Sequence, residues 1–293
     1  MCKYKEIIAF CIFFSISFVF MSKVVKNVDP IVSTFITYGI ATVFFTLINI
    51  KNLRETLNIL LREKMLVFKI NISTLMNTLL AFYVVLYISP IAYIIVFFSG
   101  LSFFNSLYNY RDVRSLEMTI NMLAISLAVF ISFLMSNANL VDTITGVTLT
   151  LTSTVFASFY MRESAMLHTK TDISVPQILS IRFYLVIVLC GFYSVYSISH
   201  QSISTSDLSL LFLISVTGSI VPLFLMQKSI TTLGPKLTAQ FTPLTPILCL
   251  MFMALIEKQH FSILEISLTF LIALVMLCQL ILKPNNIKDK NDE

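Results

Sequence analysis

The stretch Ile70–Tyr110, INISTLMNTLLAFYVVLYISPIAYIIVFFSGLSFFNSLYNY, runs for 41 residues without an Asp, Glu, Lys or Arg. One membrane-crossing helix needs roughly 20 apolar residues, so this stretch is two spans long. Ser89-Pro90 lies near its middle, and the residue before a proline is pushed out of the helical region. The chain turns there, and the stretch reads as two helices. It shows no alternation at period two and is too long for barrel strands.

Charge is expensive at the bilayer centre, so charge-free windows mark spans elsewhere too. They run 7–22, 30–50, 118–141, 143–161, 183–206, 208–227, 237–256 and 266–282. With the split window they make ten helices. The fold class is therefore all-α integral membrane, with ten transmembrane helices. Composition agrees. The 293 residues are 57% hydrophobic and only 12% charged, where soluble domains are nearer 25% charged. Mean hydropathy is +0.89. A soluble enzyme and a disordered protein are excluded.

The net charge of +5 has no basic domain behind it, so nucleic acid is not a partner; the lipid bilayer is. Fifteen of the 20 Lys and Arg fall on one face, in the N-terminus, the 51–64, 111–117 and 162–176 loops, the 228–236 turn and the tail. Lys23, Lys26 and Lys258 fall on the other. By the positive-inside rule both termini are cytoplasmic. Residues 284–293 read as a disordered tail. The basic, apolar first 25 residues lack a signal-peptide cleavage site and read as a retained first helix. Cys2, Cys11, Cys190, Cys249 and Cys278 are scattered, with no metal or disulfide pattern.

Sliding the chain by 146 residues sets Pro30 on Pro176, Tyr38 on Tyr184, and Phe10 on Phe156. Gly100 falls on Pro246, both read as mid-helix breakers. Each half, 1–137 and 142–283, then holds five helices. Five is odd, so the halves insert with opposite orientation. Inverted repeats of this kind are a transporter architecture, with the site at the repeat interface.

Thr231-Thr232-Leu233-Gly234-Pro235 through Thr242-Pro243-Leu244-Thr245-Pro246 to Glu257 resembles the helix-nine pattern of the EamA-like permeases, in the drug/metabolite transporter superfamily. Phe14-Ser15 and Lys23 stand where that family often has Trp-Gly and a lysine. Ser99-Gly100 stands where a proline is usual, and Asp112 near the usual Glu. The resemblance covers nearly the whole chain. It implies transport of a small-molecule metabolite, with no cofactor. It also implies a central cavity enclosed by helices one, three, four, six, eight and nine.

Polar residues at membrane depth need partners that lipid cannot provide. On that ground Asn77, Tyr83, Ser99, Ser153, Gln240 and Thr242 are candidate substrate-binding residues. Asn71, Thr74 and Asn77/Thr78 share one face of helix three. Phe14, Tyr38, Tyr83, Tyr160 and Tyr184 are candidates for a stacking wall. Ser and Thr are also common as glue between helices. Arg182 lies about five residues into its span, too deep to snorkel easily, and is placed near the cytoplasmic mouth. A cation there suits a carboxylate or phosphate. No acidic residue falls in the middle of a span, which disfavours carboxylate-driven export of cationic drugs. His168, His200 and His260 are isolated, and no H-E-x-x-H, G-x-S-x-G or Walker A occurs; the chain is not read as an enzyme. The reading is a multi-pass secondary transporter of the inner (plasma) membrane. It exports a small organic metabolite, amino-acid-like or anionic. The rivals are an uptake permease and a non-transporting receptor or assembly protein.

Overall fold

A computed structural model describes residues 4–108, 115–135, 138–198, 203–256, 258 and 260–281. Cys2, Lys3, Arg111, Asp112, Arg114, His200, Glu257, Lys283 and the tail 284–293 lie outside the described residues. Among the described residues all regular structure is helical.

Helix α1 (Lys5–Val24) leads into α2 (Pro30–Ile48). Asp29 caps α2, its Oδ1 accepting from the Ile31 N–H at 2.7 Å, and Pro30 supplies the first-turn φ. A short 3-10 turn and the ten-residue α3 (Leu53–Arg62) follow. Next come α4 (Lys64–Val84) and α5 (Pro90–Tyr108), so the charge-free stretch divides at Ser89-Pro90 as its sequence dictates. Helix α6 is Ser115–Leu134 and α7 is Leu140–Thr171. The next span is broken into α8 (Val175–Ile181) and α9 (Tyr184–Ile198). The one after it is α10 (Thr205–Ile214), a π-helical segment Ser215–Ile220 and α11 (Val221–Leu233). Another broken span, α12 (Pro235–Phe241) and α13 (Leu244–Ile256), precedes α14 (Ile263–Ile281). Among the described residues nine helices are long and apolar enough to cross a membrane, and Ile263–Cys278 is a shorter apolar one. The class is a multi-pass, all-α membrane protein.

Three expected loops are largely helix. The 51–64 segment holds α3; residues 162–171 continue α7, carrying Arg162, Glu163 and His168; and Lys228 lies inside α11. Charge-free windows end at the first charge, whereas the helical hydrogen-bond ladder continues past it.

Helix α5 is the core helix, with 78% of its apolar window buried. Phe10 and Phe14 of α1 meet Phe98 edge-on, and Phe18 stacks on Tyr93 at 5.1 Å. Gly100 does not break α5, which continues unbroken to Tyr108. It is a contact point instead: a Cβ there would come within 2.9 Å of Thr154 on α7.

Gly218, in the π segment, works the same way against α1. A Cβ there would lie 2.7 Å from that of Ser17. The π segment precedes Pro222, which has no N–H to continue the normal ladder. Gly218→Ala overpacks this contact, at about 1–3 kcal/mol. The expected result is a lower thermal midpoint of the purified protein, partly restored by adding Ser17→Gly. A Gly218→Ala protein that melts with the wild type would mean the two helices part freely here.

Candidate functional site

The span Val175–Ser197 is interrupted at Arg182 and Phe183, between α8 and α9. A break at membrane depth frees backbone groups that lipid cannot satisfy. Asn71 of α4 satisfies two of them. Its Nδ2 donates to the Ile181 carbonyl at 2.8 Å, and its Oδ1 accepts from the Leu185 N–H at 3.2 Å. The side chain splices the break from outside the helix and fixes the position of Arg182.

Arg182 is 2% exposed. It lies seven residues from the start of its span, about 10 Å along the axis, and so sits inside the bundle rather than at a mouth. Its guanidinium carbon is 3.6 Å from the centre of the Tyr160 ring and 4.8 Å from that of Phe183. These aromatic faces partly compensate a buried cation. Among the described residues no carboxylate lies within 4.0 Å of it, and its Nε has no hydrogen-bond partner. The Tyr160 hydroxyl donates to Gln227 Oε1, and the buried Gln227 Nε2 is likewise without a partner.

Arg182 opens onto a central cavity of about 60 Å³, also lined by Phe14, Tyr38, Asn77, Tyr93 and Ser219. One water needs roughly 10–15 Å³ of such space, so the cavity has room for a few waters. The walls come from α1, α2, α4, α5, the α8–α9 break and the π segment. Helices one, three, four and eight of the expected set take part. Helices six and nine, here α7 and α12–α13, do not line it; helices two and seven do. The reason is the α8–α9 break, which presents Arg182 inward, and the close contact of α2 with it, where Tyr38 stacks on Phe183 at 5.1 Å.

Of the seven candidates, Asn77 and Arg182 meet at the cavity. Ser153 stands behind Asn77, donating to its Oδ1 at 2.9 Å. Ser99 lies elsewhere, donating to Met276 Sδ at 3.3 Å. Thr242 bonds the Ala239 carbonyl at 2.7 Å, at the α12–α13 break. Tyr83 is half-buried at the end of α4, outside the cavity lining. Gln240 donates to Glu117 Oε1 at 2.8 Å, also away from the cavity. Among the aromatics, Phe14 and Tyr38 line the cavity and Tyr160 backs Arg182, whereas Tyr184 packs against the core. Gln227 and Glu163 are among the polar residues that the sequence left unmarked. Both carry buried atoms without a partner; for Gln227 the amide in an apolar helix was the available signal.

One end of the bundle is bridged by four side-chain links. Residues 1–137 contain four glutamates, Glu6, Glu55, Glu63 and Glu117, and each reaches a residue beyond 142. Glu6 meets Lys228 at 3.4 Å, Glu63 meets Lys170 at 2.6 Å and Glu117 meets Lys236 at 3.0 Å. Glu55 accepts from Gln177 at 3.3 Å. At the other end an open cleft of about 340 Å³ is lined by Ser22, Lys26, Ser89 and Glu265, among others.

A multi-pass membrane protein with a buried cation at a central cavity is thus the class that fold and site define. No protein-family model and no curated protein matches the sequence. The fold is similar to that of a solved structure described only as a crystal structure of a protein. The TM-score is 0.65 at 10% identity, over 93% of this chain and 96% of that one. That likeness is one of fold alone.

Proposed function

We propose that the chain is a secondary transporter of the EamA-like kind, exporting a small anionic organic metabolite by alternating access. In this reading ten spans form two inverted halves, 1–137 and 142–283, with both termini cytoplasmic in the inner (plasma) membrane. The observation that carries it is Arg182: a buried guanidinium beside a cavity, facing aromatic rings rather than a carboxylate. A charge taken from water without a counter-ion costs several kcal/mol. A structural role gives no reason to place one there; a binding site for a carboxylate or phosphate does. Arg182 supplies the charge and the fork of donors. Asn77, held by Ser153, supplies an amide, and Phe14, Tyr38 and Tyr93 supply walls for an apolar part of the cargo. The asymmetry between the tied end and the open cleft suits a carrier closed to one side. The cavity must widen to admit a metabolite, and the contacts that oppose widening are the four glutamate links.

Metabolite profiling of cells and medium, with and without overexpression, tests this. The expected result is one class of compact organic anion rising in the medium and falling in the cells. The opposite movement would make the protein an uptake permease. No movement of any organic anion, in a strain where the protein is inserted, would remove the transporter reading.

A further inference from the structure

A second site lies away from the central cavity, on the lipid-facing side of the bundle. A groove of about 250 Å³ between α4 and α7 is lined by Phe68, Lys69, Ile72, Ser73, Phe159 and Glu163. Glu163 is only 7% exposed, and its Oε2 is buried without any hydrogen-bond partner. A carboxylate oxygen in that state is costly unless a donor reaches it. Lys69, in the same groove, is exposed and forms no ion pair with Glu163 or with any other described residue. The groove thus offers one negative and one positive group that do not neutralise each other. Its apolar rim faces outward, with Phe68 50% and Ile72 36% exposed. Its depth is that of the headgroups. Helix α7 has 32 residues, about 48 Å at 1.5 Å per residue, against a hydrocarbon core of about 30 Å. Arg162-Glu163 mark where the helix leaves the apolar layer.

The geometry points to a binding site for an ethanolamine phospholipid. Its primary ammonium donates to the Glu163 carboxylate, its phosphate lies against Lys69, and its acyl chain follows Phe68, Ile72 and Phe159. A choline headgroup has no N–H to give the carboxylate. A glycerol headgroup has no cation. This site stands whether or not the protein is a transporter.

The test uses the full chain, purified in detergent and equilibrated with equimolar ethanolamine, choline and glycerol phospholipids, with bound lipid read by native mass spectrometry. Wild type should retain roughly ten times more ethanolamine than choline lipid, the size of a hydrogen bond to a charged group. Stepwise N-methylation of the headgroup should erode the preference in the unaltered protein, which needs no variant to fold. Glu163→Gln should abolish the preference for ethanolamine, and Lys69→Gln should weaken ethanolamine and glycerol lipids alike. Equal retention of ethanolamine and choline lipid by wild type would overturn the proposal, as would an unchanged preference in Glu163→Gln. Displacement by water-soluble phosphoethanolamine at the lipid's own concentration would overturn it too, since the ligand would then be a free solute.

Discussion

Arg182→Ala should lower transport of an anionic cargo by roughly ten- to hundredfold, while the protein stays folded and inserted. The magnitude is that of one charge-assisted hydrogen bond lost, about 1.5–3 kcal/mol. Stability should move the other way or not at all. The substitution orphans no carboxylate, because none is paired with the guanidinium. It relieves the desolvation of a buried cation, several kcal/mol, against a cation–π contact with Tyr160 worth about 2 kcal/mol. The melting midpoint of the purified protein should therefore hold or rise as transport falls. Arg182→Lys should restore transport only in part, returning the charge without the planar fork. Unchanged uptake or efflux in Arg182→Ala would mean that the guanidinium does not touch the cargo. Loss of transport with a large fall in melting midpoint would mean that its role is to hold the α8–α9 break together.

The second large effect belongs to the tied end. Glu117 holds Lys236 at 3.0 Å and Gln240 at 2.8 Å, joining α6 to α12. The two charged side chains are 25% and 17% exposed, so solvent screening brings the pair well below a fully buried bridge. About 1–2 kcal/mol is a fair measure, or roughly five- to thirtyfold in the population open at this end. Glu117→Lys sets two cations together and should favour opening by at least that much. Lys236→Glu should act in the same direction. Glu117→Lys with Lys236→Glu recreates the pair and should return the population toward wild type. The measure is labelling of a cysteine at Ser219, in the cavity wall, by an impermeant thiol reagent applied from this end. Labelling that rises in each single variant and falls in the double variant supports a gate. Labelling that is the same in all three would leave the contact a static one.

Much of the architecture is carried by local chemistry. Ser89-Pro90 divides the 41-residue apolar stretch because a proline restricts its predecessor wherever it occurs, and the structure turns there. Asp29 and Pro30 begin α2 for equally local reasons. Arg182 and Asn77 could be singled out because burying a cation or an amide is costly in any fold. Their neighbours could not. Ser99 and Gln240 are as polar and as deep in sequence, yet one is bonded to Met276 and the other to Glu117. Which helix faces which is set by long-range packing at contacts such as Gly100 on Thr154 and Gly218 on Ser17, and hydropathy contains no term for it. Charge counting put Glu163 in a loop, whereas it lies inside α7. It treats every charge as the edge of a span, whereas a fold can bury one when aromatic faces or a groove receive it. The sequence by itself determined that this chain is helical and apolar enough for many membrane crossings. It also determined where most crossings begin, because the cost of charge and backbone in lipid acts residue by residue. The tertiary structure alone decided that Arg182 and Asn77 share a cavity and that four glutamates of the first 137 residues link to residues beyond 142, because those facts depend on residues a hundred or more positions apart meeting.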